Sequence, residues 1–366
     1  MAPILLNTAI DYAGHSATFL GVMYPTWWFI VVGFLITGYG ILDGFDFGAA
    51  AWHLFLDNHK ENDECRVALN AIGPVWDGNE AWLVIGGASI FAGFPVMYAS
   101  LFSAMNTPFM LFLIFLIFRA ISIEFRGKEP MQWWRNMWDT AYSVSSVVLA
   151  FLLGVVLGNV LQGLPLDANH EYTGEGLYGA LFGFLNPYSL VTGAVTLFIF
   201  VVHGGLYLLM KTHGTIHDKL EKRVMGAFCL FLLLLIGTTI YTFATPHLAA
   251  NITGSTALIV ASVLTYVVAL CIPLFLKKKA FGKAFVSSAL TIVMLMALVA
   301  LNLHPIFLRS TGDPTGTITV YNAAATDKSL GVMLIIGGIG TPLLLAYTYF
   351  AYKVFRGKVQ LDEHSY

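Results

Sequence analysis

Gly73-Pro74-Val75-Trp76-Asp77-Gly78-Asn79-Glu80-Ala81-Trp82 holds two carboxylates, an amide and two indoles, and a long apolar run leaves directly from it. A run of that kind, continuing to about residue 97, suits a helix that crosses a bilayer, which needs about 20 mostly apolar residues. Ionisable groups at the edge of such a helix are costly and point to function.

The rest of the chain has the same character. Of its 366 residues 57% are hydrophobic and only 11% are charged, with a mean hydropathy of +0.75. Soluble domains carry about 25% charged residues, so the bilayer is this chain's solvent. A net charge of −2 gives no reason to expect nucleic acid as a partner. The three cysteines, Cys65, Cys229 and Cys271, are far apart and show no zinc-type spacing. Cys229 and Cys271 fall in apolar segments and read as packed thiols. Residues 1–26 contain Asp11 but no Lys or Arg, so the charged start of a signal peptide is missing and the first apolar segment should remain in the mature protein.

About nine apolar segments follow one another, at 27–52, 76–97, 100–121, 141–163, 188–210, 225–245, 257–276, 283–304 and 330–354. Their length fits helices, since barrel strands would be about half as long. Of the 19 basic residues, 17 follow or end the odd-numbered segments; Arg309 and Lys328 are the exceptions. The positive-inside rule then puts the N-terminus in the periplasm and the C-terminus in the cytoplasm. The fold expected is an all-α polytopic membrane protein forming a single integral membrane domain over 1–366. Four helices (27–163), four more (188–304) and a last one (330–354) make a plausible grouping that periodicity alone leaves open.

The polar residues concentrate on the first three segments. Asp43 and Asp46, in Leu42-Asp43-Gly44-Phe45-Asp46-Phe47-Gly48, are three apart and share a helix face. Asp46 lies roughly 9 Å along the axis from the segment's end, where a carboxylate must protonate or find a partner. Asp77 and Glu80 repeat the spacing at the start of the second segment; helix capping by Asp77 and a membrane-interface role for Trp76 and Trp82 are the plain alternatives. Arg119 ends the third apolar run and either neutralises an acid or snorkels to the headgroups. Glu124 follows on the same side. A row of carboxylates opening to the basic face suits proton intake. His203 lies within an apolar segment beside Gly204-Gly205. A hydrogen-bonded packing histidine explains it better than a haem ligand.

These stretches carry a family resemblance. Asp43-Gly44-Phe45-Asp46-Phe47-Gly48, Trp76-Asp77-Gly78-Asn79 with Trp82, Trp134-Arg135-Asn136-Met137-Trp138-Asp139, Gly158-Asn159 with Leu161-Gln162-Gly163, Leu185-Asn186-Pro187 and the closing His364-Ser365-Tyr366 resemble, in order and spacing, subunit II of the cytochrome bd quinol oxidases. The resemblance implies two four-helix bundles plus a peripheral helix in the bacterial inner membrane. It implies a heterodimer with subunit I, which carries haem b, haem d and the quinol site, in a complex that reduces dioxygen to water and builds proton-motive force without pumping. By the same resemblance Trp76, Asp77, Glu124 and Tyr366 belong to a proton path, to which the residue reading adds Asp43, Asp46 and Glu80. Trp82 and Arg119 belong to an oxygen path. No residue of this chain is implied to be catalytic or to bind metal. A bound quinone or lipid and an additional small membrane subunit are left open. From the residues alone, a proton-coupled transporter and a non-catalytic scaffold subunit compete with this reading. The first would show broken helices and inverted repeats; the second would use small residues such as Gly86-Gly87 for helix packing.

Overall fold

The computed structural model describes residues 12–361, apart from 60–61, 175–178 and 180–181. Twelve α-helices are described: α1 Tyr24–Trp52, α2 Glu64–Ile72, α3 Trp76–Gly93, α4 Pro95–Ala104, α5 Asn106–Phe125, α6 Gln132–Gln162, α7 Pro187–Lys211, α8 Thr215–Ala244, α9 Pro246–Thr253, α10 Thr256–Lys277, α11 Phe281–Leu303 and α12 Asp327–Val354. Eight of them are long and apolar enough to cross a membrane, or nine spans if the bent pair α3 and α4 is one. The all-helical membrane architecture is the one expected.

The second expected segment differs from the observed one. A helix over 76–97 stops at Phe94, and the axis turns by 117° between α3 and α4. Pro95 is the cause. It has no N–H to donate to the preceding turn, and it pushes the residue before it out of the helical region. Phe94 accordingly has φ −132° and ψ 65°. The third segment also starts later than expected, at Asn106.

Helix α1 is the hub. It packs against α3, α6, α7, α11 and α12, while α6 packs along α7 and α10 along α11. Lipid offers no hydrophobic drive for helix association, so close backbone approach and interhelical hydrogen bonds must supply the specificity. At the α1–α7 crossing Gly48 faces Gly204. A Cβ on Gly204 would stand 2.6 Å from the Cα of Gly48, so neither position tolerates a side chain. At the α6–α7 crossing a Cβ on Gly158 would stand 2.6 Å from the Cα of Ser189. Beside it the Asn159 amide donates to the Val155 and Phe184 carbonyls, both at 2.8 Å. Asn186 donates to Asn159 Oδ1 at 2.9 Å and accepts from the Ser189 N–H at 2.8 Å, capping α7. Gly158-Asn159 and Leu185-Asn186-Pro187 are thus packing and capping devices.

Two apolar cores divide the molecule lengthwise. The larger runs from the middle of α1 to the end that carries most basic residues. The smaller joins the start of α1 to α4 and to the antiparallel strands Ile306–Leu308 and Ile318–Thr319. The last helix, α12, is the least buried of the spanning helices and lies against α1 and α3. Cys229 lies exposed on the outward surface of α8 rather than packed, because it falls on the helix face opposite Phe228 and Phe231.

Candidate functional site

Asp43 and Asp46 lie on the buried face of α1, both fully shielded from solvent. Arg119 reaches them from α5 and is equally buried. Its Nη2 donates to Asp43 Oδ1 at 2.6 Å and its Nη1 to Asp43 Oδ2 at 3.3 Å. This two-pronged geometry is the strong form of a carboxylate–guanidinium contact. The same Nη2 stands 3.8 Å from Asp46 Oδ2, and Nη1 stands 3.6 Å from Glu80 Oε2 on α3. The ring of Phe47 covers the guanidinium at 4.6 Å. A buried cation is tolerated only with such pairing, and both Nη atoms of Arg119 are taken up by acids. It therefore pairs with acid rather than snorkelling.

Asn79 completes the network. Its Nδ2 donates to Asp46 Oδ2 at 2.8 Å and to the Leu42 carbonyl at 3.2 Å, and its Oδ1 accepts from the Tyr352 hydroxyl at 2.7 Å. Tyr352 comes from α12, so the last helix is tied to the first through one amide. The sequence marks Asn79 only as the amide of the dense stretch and gives no sign of Tyr352. In an apolar helix bearing Tyr347, Tyr349 and Tyr352, nothing local marks which tyrosine faces inward.

The dense stretch on α3 is divided by helix geometry. Asn79 and Trp82, three apart, are buried; Trp76 and Glu80, four apart, are partly buried; Asp77 is exposed in the first turn. Trp76 packs on the larger core. The Trp82 ring stands against Gly38 and 5.9 Å from the Phe34 ring, and its Nε1 finds no acceptor. The residue capping α3 is Val75, which offers no side-chain bond, so Asp77 does not cap the helix. Glu124 lies exposed in the last turn of α5. Tyr366 lies outside the described residues. The network therefore unites Asp43, Asp46, Glu80 and Arg119, and leaves Asp77 and Glu124 on the surface of the same helices.

A second ionic cluster ties the loops at the basic end. Lys219 Nζ donates to Asp57 Oδ2 at 2.6 Å and to Glu64 Oε2 at 2.8 Å, and the Asp57 N–H donates to the same Glu64 oxygen at 2.9 Å. Burial pushes the Glu64 carboxyl up, but the Asp57 N–H and the Lys219 ammonium outweigh it and hold the group below its ordinary value. Near it His53, Cys65 and Asp139 bring potential metal-ligating atoms within 4.8 Å of one another. Arg126 Nε already donates to Asp139 Oδ1 at 2.6 Å, and His53 Nε2 bonds the Cys65 carbonyl at 2.9 Å. A cation would have to displace both, so these residues fit a closed structural cluster.

A chamber of about 390 Å³ opens nearby, walled by Ile41, Phe45, Tyr207, Phe285 and Tyr352, with Lys211 and Arg356 also lining it. Phe45 stacks on Tyr207 at 4.0 Å between centroids. The Tyr352 hydroxyl that bonds Asn79 thus belongs to a residue on the chamber wall.

Fold and site together define a polytopic helical membrane protein with an ion pair sealed between its first helices. The chain belongs to the cytochrome bd terminal oxidase subunit II family, whose profile matches residues 24–355. It is 31% identical over 362 residues to a probable cytochrome oxidase subunit 2 of Haemophilus influenzae, covering 92% of this chain and 95% of that one. It is 30% identical over 339 residues to the cytochrome bd ubiquinol oxidase subunit 2 of Bacillus subtilis, covering 92% and 97%. The cytochrome bd-I ubiquinol oxidase subunit 2 of Escherichia coli K12 is 29% identical over 363 residues, covering 92% and 95%. The fold matches a chain in the structure of bd oxidase from Geobacillus thermodenitrificans with a TM-score of 0.74 and 17% identity, covering 91% of this chain and 98% of that one. As a family member the chain is a subunit of a bd-type terminal oxidase, an oxidoreductase complex, and a multi-pass protein of the bacterial inner membrane.

Such complexes use haem, and His203 is the histidine buried deepest among the helices. Its Nδ1 bonds Ser288 Oγ at 2.6 Å, its Nε2 bonds the Ile41 carbonyl at 3.1 Å, and its ring stacks on Phe285 at 4.3 Å. Both nitrogens and one face are occupied, so His203 does not fit an axial ligand.

Proposed function

We propose that this chain gives the oxidase its cytoplasmic proton intake. In this reading the basic end faces the cytoplasm, as the distribution of 17 of the 19 Lys and Arg requires. Subunit I holds haem b, haem d and the quinol site. Quinol oxidation releases protons outside, and reduction of dioxygen to water consumes protons from the cytoplasm, so charge separates without a pump. Asp77 and Glu124 collect protons at the surface, and Trp76 and Tyr366 are assigned to the same path by the family resemblance alone. Glu80 links the surface to the buried Asp43 and Asp46. Trp82, whose indole rests on Gly38, and Arg119 serve oxygen access.

One observation carries the proposal: carboxyl groups of three grades of burial lie on adjoining helices, with exposed Asp77 three residues from part-buried Glu80, and Glu80 meeting sealed Asp43 and Asp46 at one guanidinium. The broken span does not favour a transporter. Its break at Phe94 is packed among Phe307 and the small core, roughly 22 Å along α3 from Asn79, and so lies far from the acids.

The test is Asp77→Asn in the assembled complex. Oxygen consumption should slow about a hundredfold or more, in the range of lost acid–base groups, with haem content unchanged. Turnover equal to wild type across pH would sink the proton role. Loss of the whole complex would mark Asp77 as an assembly residue.

A further inference from the structure

We propose that Asp43 and Asp46 together hold one proton, carried on Asp46 Oδ1, and that Asn79 and Tyr352 position the acid that carries it. Two fully buried carboxyls face one fully buried guanidinium. Both oxygens of Asp43 accept from Arg119, whereas the nearest Arg119 nitrogen is 3.8 Å from Asp46. Asp43 is therefore the ionised partner. A second bare carboxylate beside it, out of water, would be uncompensated, and such groups neutralise.

The groups facing the pair do not supply the missing positive charge. They are Tyr39 on α1, Glu80 on α3, Arg119 on α5, Tyr142 on α6, Tyr207 on α7 and Tyr352 on α12. Four are neutral phenols, one is a further acid, and the single cation is already engaged by Asp43.

Hydrogen-bond geometry locates the proton. Tyr352 donates to Asn79 Oδ1, which fixes the amide so that Nδ2 faces Asp46 Oδ2 and donates to it. Among the described residues no N–H or O–H donor reaches Asp46 Oδ1, although it is buried. The Asp43 and Asp46 carboxyls, three residues apart on one helix face, both stand against the same Arg119 Nη2, at 2.6 and 3.8 Å, and so neighbour each other. Two carboxyls in contact that share a proton are stable where two anions are not. The oxygen without a donor is the one that becomes a donor. Tyr352 and Asn79 act through Asp46 and are positioning residues.

The existence of this proton is independent of the intake route; its use in turnover rests on that reading. The experiment is absolute infrared spectroscopy of the purified oxidase complex, in H2O and D2O, for wild type and Asp46→Asn, with haem absorption as the check on assembly. The wild-type-minus-variant spectrum should contain a carboxylic acid C=O band that moves on deuteration and should lack carboxylate stretches. A difference spectrum made of carboxylate stretches overturns the proposal. If Asp46→Asn fails to assemble, Tyr352→Phe replaces it: the acid C=O band should shift, and a shift confined to carboxylate bands overturns the proposal. Loss of the acid band together with full turnover in Asp46→Asn complexes would separate the two claims, leaving Asp46 a protonated structural acid outside the intake route.

Discussion

Helices α1, α3 and α5 carry acids in two settings. At the sealed centre, Asp43 and Asp46 have a guanidinium, an amide and a phenol arranged around them, and no solvent reaches them. A few residues away Asp77 and Glu124 lie exposed on the same helices. The first setting trades hydration for fixed partners, and everything around it must stay in place. The second keeps its hydration and can exchange protons with its surroundings. The difference teaches that burial divides the acids along these helices: the buried ones are held by fixed partners, and the exposed ones meet solvent.

Removing Arg119 should break this contrast most severely. Arg119→Leu leaves Asp43 without its cation in the interior, a loss of about 3–5 kcal/mol. The complex should fail to accumulate in membranes, or melt far below wild type when purified. Normal yield and melting would show that the pair contributes no stability. Exposed Asp77→Asn and Glu124→Gln should do the opposite. Their stability change should stay within about 0.5 kcal/mol while oxygen consumption falls, as measured by melting temperature and oxygen uptake on one preparation. A stability loss matching that of Arg119→Leu would erase the distinction between the two settings.

Smaller effects sharpen the comparison. Tyr352→Phe removes one hydrogen bond to Asn79 and should cost about 1 kcal/mol, read as a modest fall in melting temperature; no change would place Tyr352 outside the network. The smallest effect is expected at the loop clamp. The folded Glu64 carboxyl lies below its ordinary value of 4.5, so its stabilisation is full above that pH. It is lost as pH falls below 4.5 and through the folded value. The acid limb of the melting-temperature profile should therefore be flatter in Glu64→Gln than in wild type. Parallel acid limbs would assign that loss to other groups.

Much of this was legible in the sequence. Apolar length marked the spans, and the three-residue spacing of Asp43 and Asp46 placed them on one face. What spacing could not show was how the polar stretch on α3 would be divided. Successive residues are about 100° apart around a helix, and only the position of α1 decides that Asn79 and Trp82 turn inward while Asp77 turns out. Arg119 was open between headgroups and acid until its contact with Asp43 across α1 and α5 was known. The break at Phe94 was written in Pro95, yet an apolar count overlooks it, because hydropathy does not register a missing N–H.

By itself the sequence determined that this chain lives in a bilayer, how many times its helices can cross, and which end carries the positive charge. Those properties follow from local composition, since each spanning helix satisfies its own backbone hydrogen bonds whatever its neighbours do. Only the tertiary structure decided which acid meets the guanidinium, that Tyr352 reaches Asn79 across 273 positions of chain, and that His203 is closed by Ser288 and Ile41. Those outcomes depend on distances between separate helices, set by crossings such as Gly48 on Gly204, where the absence of a side chain lets two backbones approach.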